Sequence, residues 1–379
     1  MISGIRSNGF IQALPFWGSL FLPVLLFWAA SVGGWALLIV PLAAWHLATL
    51  LDTVLGQSSA ALDPDTPDSG LIWYDLILWL WPPIQVATLF GVLAYVTATD
   101  HLSTLGQIGL FFGVGVLTGT IGMPYAHELI HRTDRTSRWL GDLLLATVFY
   151  SHFRTEHLMV HHRHVGTPRD AVTARYNEHF HAYFFRVIPQ SFQSALRAEA
   201  AQLARKGLPA THRSNPFWRY AGLQAAVLIT AFGIGGWVGV SLVLFQGLVA
   251  IWQLELVNYV EHYGLTRKHL GDGRYEPVAP RHSWNANHRA TNWLLINLQR
   301  HSDHHAKPAR PFPLLQPHVP GTAPELPYGY PIMTLAALIP PVWRRTMNPR
   351  VRAWRAHHYP EVTDWRPYTR HATPIPEGA

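Results

Sequence analysis

The sequence predicts an all-α integral membrane protein, with six transmembrane helices and a His-rich helical cap on the cytoplasmic side. Three observations predict it. Of the 379 residues, 49% are hydrophobic and only 13% charged, about half the ~25% charge of ordinary soluble chains. Six apolar stretches approach or exceed the ~20 residues that cross a bilayer. Nine histidines fall in four short clusters, each closing or following an apolar stretch. A mean hydropathy of only +0.08 requires a polar half beside the lipid-embedded one.

The first two helices are expected at about 14–30 and 34–51, parted by Gly33-Gly34. The third runs about 71–98, with Pro82-Pro83 as a kink. The fourth runs about 103–130. A fifth at about 217–235 and a sixth at about 237–261 are parted by Gly235-Gly236. Carried on to His131, the fourth helix spans ~43 Å at ~1.5 Å per residue. The hydrocarbon core is ~30 Å, so its histidine end projects into the cap. The apolar segment 139–150 is too short to cross and reads as a re-entrant or interfacial helix. Segment 186–206 reads as a surface helix, and the basic, Trp-rich tail beyond Pro340 as lying along the membrane interface. The organisation is four helices over 1–130, a first cap segment over 131–215, a helical hairpin over 216–261 and a second cap segment with the tail over 262–379, all one functional unit.

Charge sets the orientation. Of 29 Lys and Arg, only Arg6 precedes His127, while thirteen lie between Arg132 and Arg219 and fifteen between Arg267 and Arg370. The short connections near Gly33, Asp100 and Gly235 carry none. Cytoplasmic segments accumulate Lys and Arg, so the short turns are placed outside, and both termini and every histidine cluster inside. This also accounts for the net charge of +7 without a nucleic-acid partner. The first twenty residues carry no signal-peptide pattern, so targeting is expected to rest on the first helix. Most of the sixteen Trp read as interface anchors.

The clusters are His127 and His131; His157, His161 and His162; His262; and His301, His304 and His305. Imidazole suits first-row transition metals, and nine exceed what one ion can use. Two octahedral ions offer about twelve positions, leaving about three for water, oxygen or substrate. A closed structural zinc site needs four ligands. Pairs at i, i+4 share a helical face and can share one ion or flank a pair. The adjacent carboxylates Glu128, Glu156, Glu261 and Asp303 point away from their neighbours on a helix and are expected to hold the outer nitrogens of histidines elsewhere; Asp170 and Asn258 are assigned the same supporting role. His282 and His288 read as structural or supporting. His46, His101, His179, His181, His212, His318, His357, His358 and His371 receive no role. Glu255, Gln246 and Gln253 are polar within the sixth helix, and an intramembrane Glu is a functional candidate. The chain has no cysteine, which excludes thiolate metal sites and iron–sulfur centres. Any electrons it uses come from another protein.

At these clusters the chain resembles the integral-membrane alkane hydroxylases, alkane 1-monooxygenases within the fatty acid desaturase/hydroxylase-like superfamily. The resemblance rests on the stretches 127–132 (HELIHR), 156–162 (EHLMVHH), 258–265 (NYVEHYGL) and 298–305 (LQRHSDHH), and runs through 272–275 (DGRY) and 283–285 (SWN). It implies a cytoplasmic-facing non-heme di-iron centre on the nine matching histidines, in a bacterial inner membrane. It implies hydroxylation of the terminal methyl of medium-chain alkanes with O2, and electrons from rubredoxin and its NAD(P)H-dependent reductase. Arg132 stands where the family often has Lys, which keeps the charge. The family limits chain length with a bulky residue in the second helix, and Trp45 is the candidate for that substrate channel. Xylene-type methyl monooxygenases and acyl desaturases share this metal chemistry. A zinc protease is the other reading of His127-Glu128-x-x-His131, but leaves six histidines idle. A metal carrier would line its spans with histidines rather than gather them at one end.

Overall fold

The computed structural model describes residues 9–319 and 321–365. Arg6, Arg366, Arg370, His371 and both chain ends lie outside the described residues. The described chain is mostly helical, with one two-stranded hairpin, β1 (His269–Gly271) and β2 (Arg274–Tyr275).

Among the described residues, five helices are long and apolar enough to cross a membrane: α1 (Gly9–Val32), α2 (Gly34–Leu55), α3 (Ile72–Ala98), α4 (Thr104–His131) and α8 (Pro216–His262). Local chemistry sets their ends. Gly33 and Gly34, at φ 71° and 58°, turn α1 into α2, a conformation that glycine adopts at no steric cost. Ser103 Oγ caps α4 by accepting from the Gly106 amide, and Asn215 caps α8 ahead of Pro216. α3 continues through Pro82 and Pro83 as a single helix.

Where the sequence expects two further helices, the structure has one run of 47 residues, interrupted by non-helical dihedrals at Gly235 (φ −131°, ψ 15°) and Gly236 (φ 55°, ψ −146°). A side chain on Gly239 would lie 2.5 Å from the Ala231 carbonyl oxygen. Eight residues of straight helix would separate those positions by ~12 Å, so the run bends back on itself at the glycine pair. The three short connections lie together: a Cβ on Gly33 would meet Leu102 and His101 at 3.1 and 3.3 Å, and one on Gly235 would meet Thr97 at 2.7 Å. The histidine ends of α4 and α8 are therefore at the opposite end of the bundle.

Small residues bring α4 and α8 close. A Cβ on Gly115 would sit 2.6 Å from Val249 Cβ, and one on Gly119 2.4 Å from Gln253 Nε2, the small-xxx-small logic of membrane helix packing. Gln246 is satisfied inside this contact, donating to the Thr147 carbonyl at 2.6 Å and accepting from Thr118 at 2.9 Å.

The cap is helical. α5 (Arg135–Thr147) starts on Asp134, which accepts from the Ser137 amide, and packs on the histidine end of α4. This is the helix expected at 139–150. α6 covers 153–164 and α7 covers Phe180–Ala204, capped by His179. Then come α9 (Arg289–Leu294), α10 (His301–Ala306), α11 (Tyr330–Ala337) and α12 (Pro340–His358). α12 packs through Trp343, Met347 and Val351, all fully buried, at i, i+4, i+8 on one face. The described part of the basic tail is thus bound to the cap by an apolar stripe.

Candidate metal centre

The nine histidines come from four elements, α4, α6, α8 and α10, and converge. One group holds His127, His131, His157, His162 and His304; the other holds His161, His262, His301 and His305. Within each, the candidate ligand atoms all lie within 4.8 Å of one another. α4 gives the first group two rings at i, i+4. α10 splits its three: His301 and His305, one turn apart, face the second group and His304 the first.

The division on α6 was not legible as α-helix spacing. Residues His157–His161 form a π turn, in which the His162 amide donates to the His157 carbonyl. That i→i+5 bond brings His157 and His162 onto one face, with Nε2 atoms 3.0 Å apart. His161 is left to the second group. On an α-helix His157 and His161 would have shared a face.

The donor geometry fits transition-metal ions. Nε2 of His131, His157 and His162 form a triangle with sides of 3.0, 3.2 and 3.0 Å. Hydrogen bonds cannot account for it: each Nε2 is either donor or acceptor, and an odd ring forces at least one like pair. In the second group His301 Nε2 lies 3.0 Å from Nε2 of both His262 and His305. With metal–nitrogen bonds of ~2.1 Å, adjacent corners of an octahedron are about 3.0 Å apart and those of a tetrahedron about 3.4 Å. His127 Nε2 is buried without a hydrogen-bond partner. Burial, reinforced by neighbouring imidazoles, holds His157, His162, His301, His304 and His305 well below the usual imidazole range. Neutral rings offer lone pairs.

Of the supporting residues, Asp170 meets a histidine, holding His161 Nδ1 at 2.9 Å. The other five are engaged differently. Glu128 pairs with Arg132 and accepts from the Phe312 amide, and Asp303 pairs with Arg310 and the Gln316 amide. Glu261 accepts from Tyr330 at 2.7 Å, while its other oxygen lies 3.4 Å from His301 Nε2, on the ring's inner side. Asn258 donates to Glu255 at 3.3 Å. Both oxygens of Glu156 are buried without a partner, and burial, followed by the charges of Asp170 and Glu255, pushes its carboxyl well above the ordinary range. The outer nitrogens expected to meet these carboxylates are left unpartnered on His162, His262, His301 and His305. Nearby arginines and backbone amides claim Glu128 and Asp303 instead. His282 is structural, bonded to Glu276 and Tyr359.

An apolar cavity of about 120 Å³, with none of the nine histidines in its wall, is lined by Trp45, Met123, Leu254, Leu295, Leu298 and Tyr330 among others. Met123 sits one turn before His127, and Leu298 three residues before His301. Trp45 lies in a π turn of α2, its ring 6.1 Å from Phe112. Tyr330 links the cavity wall to the second group through Glu261. The contribution of α11 was missed in the sequence, where it carries no motif. So was Asp52, an acid at the end of an apolar span that accepts from the Thr291 amide and hydroxyl at 3.0 and 2.7 Å. Its oddity there was the available signal.

Comparison with known proteins agrees with this site. Residues 102–336 match the fatty acid desaturase family model. Alkane 1-monooxygenase 2 of Pseudomonas aeruginosa is 39% identical over 84% of this chain and 85% of its own. Alkane 1-monooxygenase 2 of Alcanivorax borkumensis is 40% identical over 72% and 70%. The xylene/toluene monooxygenase hydroxylase component of Pseudomonas putida is 27% identical over 74% of each chain. With several such relatives matched across most of its length, the chain belongs to the alkane 1-monooxygenase family.

Proposed function

We propose that this protein is a membrane-bound di-iron monooxygenase that hydroxylates the terminal methyl of medium-chain alkanes, using O2 and electrons from rubredoxin and its NAD(P)H-dependent reductase. The observation that carries it is the division of nine buried or half-buried imidazoles into groups of five and four. The five-membered group would hold one iron and the four-membered group the other. Iron bound there would supply the redox chemistry with oxygen that an unactivated C–H bond requires.

The protein's own task is placement and exclusion of water. The cavity wall is apolar, so it gives a hydrocarbon no orientation except by shape. Trp45 would limit its depth, and Met123, one turn before His127, and Leu298, three residues before His301, would mark the end nearest the histidines. Asp170 fixes the ring of His161, since a hydrogen bond at Nδ1 leaves Nε2 as the lone-pair atom. Six crossings follow if the run 216–262 enters and leaves the bilayer about Gly235-Gly236; at 47 residues it is ~70 Å long at ~1.5 Å per residue, more than twice the ~30 Å core. The lopsided charge favours the cytoplasmic side of a bacterial inner membrane for the metal centre.

A zinc protease is disfavoured by the site. Its general base would be Glu128, which here is held by Arg132 and the Phe312 amide. A xylene-type substrate is the second reading, favoured only by the 27% relative. The test is purified protein in nanodiscs with rubredoxin, reductase, NADH, O2 and a ladder of alkanes, alongside xylene and an acyl substrate. Terminal alkanol and two irons per chain are expected. No alkanol from any medium chain, or a single zinc per chain, overturns the reading.

A further inference from the structure

Behind the histidines lies a set of buried redox-capable side chains that alkane binding does not use. Glu255, 1% exposed, accepts from two phenols, one on each oxygen: Tyr150 at 2.8 Å and Tyr183 at 3.0 Å. Toward the metal centre, the Tyr150 ring stacks on Phe153 with centroids 6.2 Å apart, and Phe153 stacks on His157 at 4.9 Å. Away from it, Tyr183 meets Tyr259 at 5.3 Å, and Tyr259 meets Tyr263 and Trp343, each at 5.3 Å. The series reaches the surface at Tyr176: a Cβ on Gly264, beside Tyr263, would lie 3.5 Å from its ring, and its hydroxyl accepts from exposed Arg352 at 2.8 Å.

A phenol yields an electron readily only if its proton has somewhere to go, and a carboxylate at hydrogen-bond distance is such a place. Burial also makes two phenols on one carboxylate an odd choice for packing alone, since an apolar isostere is often as stable as a buried polar group. We propose that the series from Tyr150 to Tyr176 carries an oxidising equivalent away from the metal centre when oxygen has been activated with no hydrocarbon bound. The Tyr150 O–H bond breaks, its electron passes to the over-oxidised metal centre, and its proton moves to Glu255. Tyr150 then takes an electron from the outer rings and recovers its proton from Glu255. The vacancy ends at Tyr176, where a small soluble thiol gives up one electron and releases one proton to water; the thiyl radicals pair as disulfide. The net result is one electron delivered from thiol to the metal centre and no damage to the histidines. This rests on the monooxygenase reading above.

The experiment uses iron-loaded, full-length enzyme in nanodiscs with its electron donors and O2, but without alkane. Wild type is expected to give a phenoxyl radical by freeze-quench EPR and oxygen adducts at Tyr176 by peptide mass mapping, and dithiothreitol is expected to lengthen its active life. Tyr150→Phe should lose the radical, shift oxidation to Phe153 and His157, and lose activity several-fold faster, with alkanol yield unchanged when alkane is present. Tyr259→Phe should keep the radical but lose the Tyr176 adducts. Should Tyr150→Phe fail to fold or load iron, the Tyr259→Phe map decides. No phenoxyl signal in wild type, or unchanged adducts in Tyr259→Phe, overturns the proposal. Alkanol formation by wild type is scored separately: its absence defeats the monooxygenase reading, whereas alkanol without a radical defeats this inference alone.

Discussion

Asp170 Oδ2 lies 2.9 Å from Nδ1 of His161, both side chains buried. The carboxylate is itself fixed, accepting from the Val172 amide at 2.9 Å and from Thr173 Oγ1 at 2.7 Å. It therefore sets both the tautomer and the aim of one ring in the four-membered group. Removing such a partner costs ~10–100-fold in metal affinity. Asp170→Ala should lose metal selectively from one of the two groups, bringing iron per chain from two toward one under chelator challenge. Asp170→Asn should retain more, because its amide oxygen can still accept. Equal iron retention by all three proteins would remove the assigned role.

Trp45 stands on the cavity wall, which Gly119 and Met123 also line. On the proposed function, a smaller side chain there would lengthen the space available to a hydrocarbon whose end reaches the metal centre. Trp45→Ala should extend turnover to longer alkanes and weaken discrimination among short ones, by ~1–3 kcal/mol at most for each methylene newly accommodated or lost. Product profiles over an alkane ladder, compared with wild type, measure this directly. An unchanged profile would exclude Trp45 as the depth limit.

Much of this architecture was legible in the sequence because it follows from solvent. Lipid leaves little choice but apolar helices, so four of the six expected spans coincide with long apolar helices, and the other two with one 47-residue run broken at the expected Gly235-Gly236. The nine clustered histidines of the sequence are the nine that the fold gathers into two groups. The assignment of rings to groups was not legible, since it turns on the π turn at His157–His161, and one inserted residue per turn leaves no mark in a histidine-rich string. The carboxylates misled for a different reason. Glu128 and Asp303 sit beside ligand-type histidines in sequence, but Arg132 and Arg310 lie four and seven residues on and pair with them.

Asp52 joins the end of α2 to α9 through Thr291, whose hydroxyl also accepts from Gln299 at 2.7 Å. Asp52→Ala strands the Thr291 amide without its partner, at a cost of ~1–3 kcal/mol. The melting temperature in detergent should fall, and Asp52→Asn, which keeps one acceptor, should fall less. If both variants melt with wild type, the contact contributes nothing to stability.

Glu276 gives the cap a defined response to acid. Burial alone would raise its carboxyl, but donors from His282, Tyr359, the Lys268 amide and Arg281 hold it well below the ordinary carboxylate range. A carboxylate depressed in the folded state binds fewer protons than in the unfolded chain, whose Glu titrates near ~4.3. Its stabilisation is therefore fully present above about pH 5 and declines as the pH falls further. Burial also holds the His282 ring below its usual range, which adds loss of stability in the same direction from about pH 6.5 downward. Thermal melts from pH 8 to 4 should show wild type losing stability faster than Glu276→Gln below pH 5. Parallel curves would mean that Glu276 titrates alike folded and unfolded.

The absence of cysteine makes the orientation directly testable. Asp100, in the connection between α3 and α4, is exposed, and so is Lys307, just past α10. These positions lie at opposite ends of the bundle, because Asp100 adjoins the turn cluster near Gly33 and Gly235 whereas Lys307 follows His305. Single substitutions Asp100→Cys and Lys307→Cys each give one thiol on a background of none. With 28 of the 29 Lys and Arg beyond His127 and none in the short turns, the positive-inside bias puts Asp100 outside. A membrane-impermeant maleimide added to intact spheroplasts should label Asp100→Cys and spare Lys307→Cys, and inverted vesicles should reverse the result. Labelling of Lys307→Cys from outside would place the metal centre on the wrong side for a cytoplasmic electron donor, and the rubredoxin part of the proposed function would fall with it.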